Sequence, residues 1–111
     1  MILERIDRAP YNRIYNMPFF EWNEQKAAAN KRKHGIGFED AASALTGLAL
    51  TRQSPQSDEA RFVSLCMCNG RLIAVVWTKR DDAIRLISAR IARANERKNY
   101  NQAVGGSAGK R

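Results

Sequence analysis

The stretch NKRKHGIGFED, residues 30–40, sets three consecutive cations against the single histidine of the chain, His34, and then reaches Gly35. On a helix, Lys26, Asn30 and Lys33 follow i, i+4, i+7 spacing and fall within a stripe of about 60°, with His34 beside it. Such a stripe can address one ligand. The same residues also make an ordinary solvated helix end whose lysines complement the C-terminal dipole. A second stripe, Arg90, Arg93, Arg97 and Tyr100, spans about 80° if the last segment is helical. Arginine forks match phosphate oxygens two at a time, and a tyrosine offers a nucleotide a stacking face or a hydroxyl. Its plainer reading is again a solvated face, with Glu96 pairing to Arg93 or Tyr100. Arg85 alternates with Ile84 and Leu86, so on a strand it points away from them and calls for an anion. Glu59 and Arg61 share a side of any strand that reaches back to them. They are either a salt bridge or a base beside a phosphate clamp.

The elements that must position these residues are legible as an order. Residues 1–16 mix charge with isolated apolar side chains and keep no steady period, whereas MPFFEW from Met17 reads as a strand. Residues 1–16 are therefore expected to be an extension, with Met17 a candidate native start, followed by a domain over 17–103 and a flexible tail over 104–111. Asn23 is a suitable N-cap for a helix from about Glu24 to His34, and Gly35 stands where a left-handed C′ residue belongs. FEDAASAL predicts a second short helix, with its acidic residues in the favoured first turn, ending at Gly47. Leu48 to Leu50 begin an extended segment, and RQSPQSDEA has the composition of a surface loop.

From Arg61 the pattern turns to sheet: RFVSLCM, Asn69-Gly70, RLIAVVWTK, a turn over Arg80 to Asp82, then AIRLIS. Asn-Gly between apolar runs is the strongest short hairpin signal, because both residues tolerate the positive φ of a type I′ turn. LIAVVW is continuous enough in apolar character to be a strand covered on both faces. Ala89 to Ala103 reads as a third helix. The expected fold is α+β in two packed layers: an antiparallel sheet, made of a three-strand meander plus N-terminal strands, packed with two N-terminal helices and a C-terminal helix.

Composition narrows the function. Nineteen Lys and Arg against eleven Asp and Glu give +8 on 111 residues, a field that attracts polyanions and makes nucleic acid the leading partner class. An acidic protein partner satisfies the same field. There is no run of about eighteen apolar residues to span a bilayer, and residues 1–16 lack the apolar core of a secretory signal, so a cytoplasmic location is expected. Cys66 and Cys68 are too close along one strand for a good disulfide and are expected as reduced, partly buried thiols. Zinc wants about four ligands, and one histidine with one cysteine pair does not supply them, so no metal or other cofactor is expected. Phosphate-binding loops, dinucleotide glycine patterns and serine-nucleophile elbows are absent from the sequence.

FEWNEQKAAANKRKHGIGFEDAA, then Glu59 to Phe62, then RLISARIARANERKNY together resemble the BrnT family of toxins from bacterial type II toxin-antitoxin modules. The resemblance runs from about Phe20 to Tyr100. It is carried by Glu21-Trp22, Lys26, Asn30, Lys33-His34-Gly35, Phe38, Glu59, Arg61, Ile87-Ser88-Ala89-Arg90, Ala92, Glu96-Arg97 and Tyr100. Asn23 stands in place of the usual Asp and keeps the capping role.

The resemblance implies a fold similar to RelE-type toxins and a metal-independent endoribonuclease that inhibits translation. It also implies a BrnA-like antitoxin that binds and silences the toxin in a heteromeric complex and alone carries contact with operator DNA. Metal-free cleavage needs a base at the ribose 2′-hydroxyl, cations on the phosphate and an acid at the leaving 5′-oxygen. Arg61, Arg85 and Arg90 are the expected phosphate-holding residues, and His34 and Glu59 are expected to transfer protons with Lys33 as an electrostatic helper. Lys26, Asn30, Arg93, Arg97 and Tyr100 are the expected RNA contacts, with antitoxin docking as a competing use of the last three. A non-catalytic nucleic-acid or ribosome-binding module, or an inactive toxin relative acting as co-repressor, is the alternative function.

Overall fold

The computed structural model describes residues 2–5, 11–12, 17–55 and 59–105. Its elements run β1 (Ile2–Arg5), β2 (Tyr11–Asn12), β3 (Met17–Glu21), α1 (Glu24–His34), α2 (Phe38–Leu45), β4 (Leu48–Ser54), β5 (Arg61–Cys68), β6 (Arg71–Arg80), β7 (Ala83–Ile91) and α3 (Ala94–Tyr100), followed by a π-helical turn over Asn101–Gly105. The strands form one sheet in the order β1-β4-β5-β6-β7-β3-β2.

Local chemistry accounts for most boundaries. The Asn23 side-chain oxygen accepts the Lys26 N–H at 3.0 Å and opens α1, and Gly35 ends it at φ 75°, a conformation without penalty only for a residue lacking Cβ. Asn69 and Gly70, at φ 51° and 82°, make the tight turn between β5 and β6. Burial of Phe38, Ala41, Ala42 and Leu45 follows from the apolar stripe of α2. Phe38 meets the Trp22 ring edge to face, with centroids 5.9 Å apart.

Several expectations are corrected. The meander has four strands, because β4 extends through Arg52 and Gln53 to pair Ser54 with Arg61, where a loop was expected. The sheet is mixed, since β3 lies parallel to β7, with Glu21 beside Arg85. A parallel neighbour requires a crossover, which α1, α2 and the meander supply. Ile2–Arg5 and Tyr11–Asn12, within the expected N-terminal extension, pair with β4 and β3 at opposite ends of the sheet. The expected tail beyond Gly105 lies outside the described residues.

The third helix begins at Ala94 instead of Ala89. β6 is ten residues long and continues to pair as far as Ile73 with Ile91, so the backbone groups of residues 89–91 are satisfied in the sheet. Helical spacing in ARIARANERKNY was compatible with either state, and strand pairing prevailed. Arg90 is consequently a strand residue and Arg93 is the N-cap of α3, so the expected four-residue helical stripe does not exist.

There are three layers, not two. Ala49, Cys66, Ile73, Val75, Trp77, Ile84, Leu86 and Ala89 face α1 and α2, whereas Leu50, Val63, Leu65, Leu72 and Ala74 face Ala92, just before α3, and Tyr100 at its end. β6 is thus apolar on both sides, as its composition required. On the α1/α2 side the buried polar atoms are paired: the Trp77 indole donates to Ser64 Oγ at 2.8 Å, and Ser64 shares a 2.7 Å hydrogen bond with Thr51. Cys66 and Cys68 share that face as free, buried thiols, and burial, with a smaller contribution from Cys68, pushes Cys66 up to about 12.

Asn30 joins α1 to the sheet. Its amide nitrogen donates to the carbonyls of Ile36 at 3.1 Å and Ala89 at 3.0 Å, and its oxygen accepts the Ala89 N–H at 3.1 Å. Beyond Glu21 no β3 residue is left to pair with β7, so the carboxamide takes the place of a strand there. Asn30→Ala would leave three buried backbone groups without these partners and is expected to cost about 2–4 kcal/mol. Asn23→Ala at the exposed cap is expected to cost about 1 kcal/mol. Urea denaturation of both variants checks the difference.

Candidate functional site

The decisive local feature is a bulge in β7. Val76 pairs with Ser88, but the next residue, Trp77, pairs with Leu86, leaving Ile87 as the extra residue. Strict alternation from Ala89 would send Leu86 and Ile84 to the opposite face and Arg85 into the core. The added residue reverses this. Ile84, Leu86 and Ala89 all enter the α1/α2 core, and Arg85 turns to the other face. There it stands in a cross-strand row, Arg61 opposite Thr78, Thr78 opposite Arg85 and Arg85 opposite Glu21. Arg52 lies one row further in, on the row of Val63, Val76 and Ser88.

α3 covers only the half of this face formed by Leu50, Leu65, Leu72 and Ala74. The arginine row borders a cleft of about 140 Å³ lined by Asn23, Lys26, Glu59, Arg61, Thr78, Arg80, Arg85, Leu86 and Ile87. Four of these side chains are cationic and one is a carboxylate. The Arg61 guanidinium lies 3.8 Å from Glu59, and Arg85 donates to Glu21 at 3.1 Å. Both arginines keep part of their side chains in solvent, while Arg61 Nε is buried and has no hydrogen-bond partner among the described residues. Thr78 is 3% exposed, and its hydroxyl donates to the Ala60 carbonyl at 2.5 Å. Strand-mounted guanidinium groups flanking a carboxylate in a cleft can bind a phosphodiester and hold a proton acceptor beside it.

Four expected site residues, Lys26, Glu59, Arg61 and Arg85, therefore meet in one place. The others lie elsewhere. α1 runs along β7 away from the cleft, so Lys33 and His34 sit about 10–12 Å further up the helix than Lys26. Asn30 is buried against Ala89 and does not share a ligand-facing stripe with Lys26 and Lys33. Arg90 stands in the row of Ala74 and Leu65, under α3. Arg93 and Arg97 are exposed, with Arg97 folded back onto the Ala92 carbonyl at 2.9 Å. Tyr100 is buried on Leu50, Leu65 and Leu72 and presents no stacking face. Among the described residues, no cluster of three or more His, Cys, Asp and Glu side chains could hold a metal ion, and no helix is long and apolar enough to cross a membrane.

Thr78 and Arg80 were not among the expected site residues. The signal for Thr78 was in the turns: counting back from Asn69-Gly70 puts Thr78 opposite Arg61, and counting from Asp81-Asp82 puts Arg85 opposite Thr78.

The model of one protein family, described as the ribonuclease toxin BrnT of type II toxin-antitoxin systems, matches residues 22–96. The chain belongs to the BrnT family. No curated protein and no solved structure gives a match. The matched span holds every residue that lines the cleft and stops within α3, at Glu96.

In this BrnT-family chain Glu96 explains what Arg90 does. Arg90 grips the Glu96 carboxylate with two bonds, at 2.8 and 3.0 Å, and the same carboxylate accepts the Arg93 N–H at 2.8 Å. The Arg90 fork, outweighing burial, holds Glu96 below the ordinary glutamate range. A depressed folded-state value contributes stability that is present above the unfolded value and lost as pH falls through the folded one. In urea titrations the parent is expected to exceed Glu96→Gln in stability at pH 7, with the gap closing below about pH 4. A gap that stays constant to pH 3 would contradict the ion-pair account of α3 anchoring.

Proposed function

We propose that this protein is the toxin of a type II toxin-antitoxin module and that it cleaves RNA at the arginine-lined cleft without a metal cofactor. The observation that carries the reading is the convergence of Lys26, Arg61, Arg80 and Arg85 around Glu59 beside the half of the sheet face that α3 does not cover. Membership of the BrnT family supports the reaction class, and the mixed α+β architecture supports the likeness to RelE-type toxins.

In the proposed reaction Glu59 accepts the proton of the ribose 2′-hydroxyl, which attacks the adjacent phosphorus. Arg61 and Arg85 hold the non-bridging oxygens as negative charge grows on them. The bond to the 5′-oxygen breaks, and Lys26, at the mouth of the same cleft, meets that oxygen and returns a proton to it. A 2′,3′-cyclic phosphate and a 5′-hydroxyl end are left. His34 has no part in this scheme, because it lies further along α1. Arg52 and Arg80 extend the cationic floor to flanking phosphates. The partner is a BrnA-like antitoxin whose acidic residues cover the same floor, and the outcome in the cytoplasm is arrest of translation.

Induced expression of the parent is expected to arrest growth and to yield RNA fragments, and the purified protein is expected to cut RNA in EDTA. Arg61→Ala is expected to lower cleavage by about 10²-fold or more, and Glu59→Gln by about 10²- to 10⁴-fold. Arg80→Ala is expected to weaken RNA binding and lower its salt slope by about one. Tight, salt-sensitive RNA binding by the parent with no cleavage in EDTA would favour the non-catalytic module instead.

A further inference from the structure

We propose that Thr78 is a positioning residue: through its bond to the Ala60 carbonyl it sets the placement of the Glu59 carboxylate relative to Arg61. This rests on the ribonuclease reading of the cleft. Residues 59–60 lie outside regular secondary structure, immediately before β5. Ala60 joins the carboxylate to the arginine. Among the described residues, the Thr78 hydroxyl makes the one side-chain hydrogen bond to the 59–60 backbone, and the Glu59 to Arg61 ion pair is long, at 3.8 Å. Orientation of the Ala60 peptide therefore depends on Oγ1 of a neighbouring, central strand.

The demands of the fold do not by themselves call for a hydroxyl at this position. Thr78 is 3% exposed between Arg61 and Arg85 in the cross-strand register, and a β-branched valine has the same outline and suits a strand equally well. What valine cannot do is donate to the Ala60 carbonyl. Without that bond the peptide can rotate, and the Glu59 carboxylate moves with it while Arg61 and Arg85 stay on their strands. Misplacement of a reacting group by about 1 Å can cost about 10²-fold in rate with little effect on binding. The expected signature is therefore a loss in kcat and not in RNA affinity.

Two variants and two readouts test this in the full chain. Thr78→Val is expected to lower kcat on a labelled RNA by about tenfold or more and to leave the RNA Kd within about twofold, whereas Thr78→Ser, which keeps the hydroxyl, stays within about threefold of the parent. Amide hydrogen exchange at residues 59–61 is expected to quicken about tenfold in Thr78→Val alone, with α1, α2 and β7 unchanged. The proposal is overturned if Thr78→Val keeps the parent kcat, if Thr78→Ser falls as far as Thr78→Val, or if exchange at residues 59–61 does not change. A parent that cuts no RNA would instead sink the ribonuclease reading, and the exchange measurement would still decide whether Thr78 holds the segment.

Discussion

The three-bond engagement of the Asn30 carboxamide with Ala89 and Ile36 is the constraint on which the rest of the arrangement depends. β7 needs a partner along its outer side beyond Glu21, and one side chain supplies both a donor and an acceptor to the same residue there. Buried backbone groups tolerate no vacancy, so the helix carrying Asn30 must lie where the carboxamide reaches Ala89. That fixes the course of α1 along β7. Its first turn then falls at the cleft, bringing Lys26 to Arg85, and its last turn falls well away, taking Lys33 and His34 with it. The bond to Ile36 also sets the short turn into α2, whose Phe38 and Leu45 fill the core beneath.

A second asymmetry decides where the arginine-lined cleft lies. β6 is apolar on both faces, but the two faces are covered unequally. α1 and α2 roof one side, and the short α3, with Ala92 just before it and Tyr100 at its end, covers only part of the other. The part that α3 does not cover is where the cross-strand rows change from Leu65 and Ala74 to Arg61, Thr78 and Arg85. Guanidinium groups mounted on paired strands lose little entropy when they meet an anion, and their direction is set by the pleat. The bulge at Ile87 is what lets one strand serve both demands, filling the core with Ile84, Leu86 and Ala89 while sending Arg85 outward.

The two classes of arginine on this face differ in what their carboxylates do. Glu96 is buried and holds Arg90 with both oxygens, so that pair anchors α3 and leaves the guanidinium little freedom to take another anion. Glu59 and Glu21 are partly solvated and bind Arg61 and Arg85 by one contact each, which orients the forks without saturating them. A phosphodiester can therefore compete for Arg61 and Arg85 but not readily for Arg90.

What the sequence determined by itself is local. The Asn23 cap, the Gly35 stop, the apolar stripe of α2 and the Asn69-Gly70 turn are each the work of a few neighbouring residues, and they appear where those residues stand. Turn position also implies register, so Asn69-Gly70 already set Thr78 opposite Arg61, whereas the alignment of Arg85 with Thr78 needed the turn after β6 to be Asp81-Asp82, one residue shorter than its expected span of Arg80 to Asp82. Tertiary structure alone decided the matters that depend on distant partners. Only pairing with a long β6 could hold residues 89–91 in a strand against their helical spacing, and only the end of β3 could call Asn30 inward. His34 was separated from Arg61 by the direction in which α1 crosses the sheet, and Tyr100 was taken from the surface by the apolar floor beneath it. The physical reason is common to all four: local propensities differ by about 1 kcal/mol or less per residue, whereas burying an aromatic ring or satisfying a buried backbone pair is worth more.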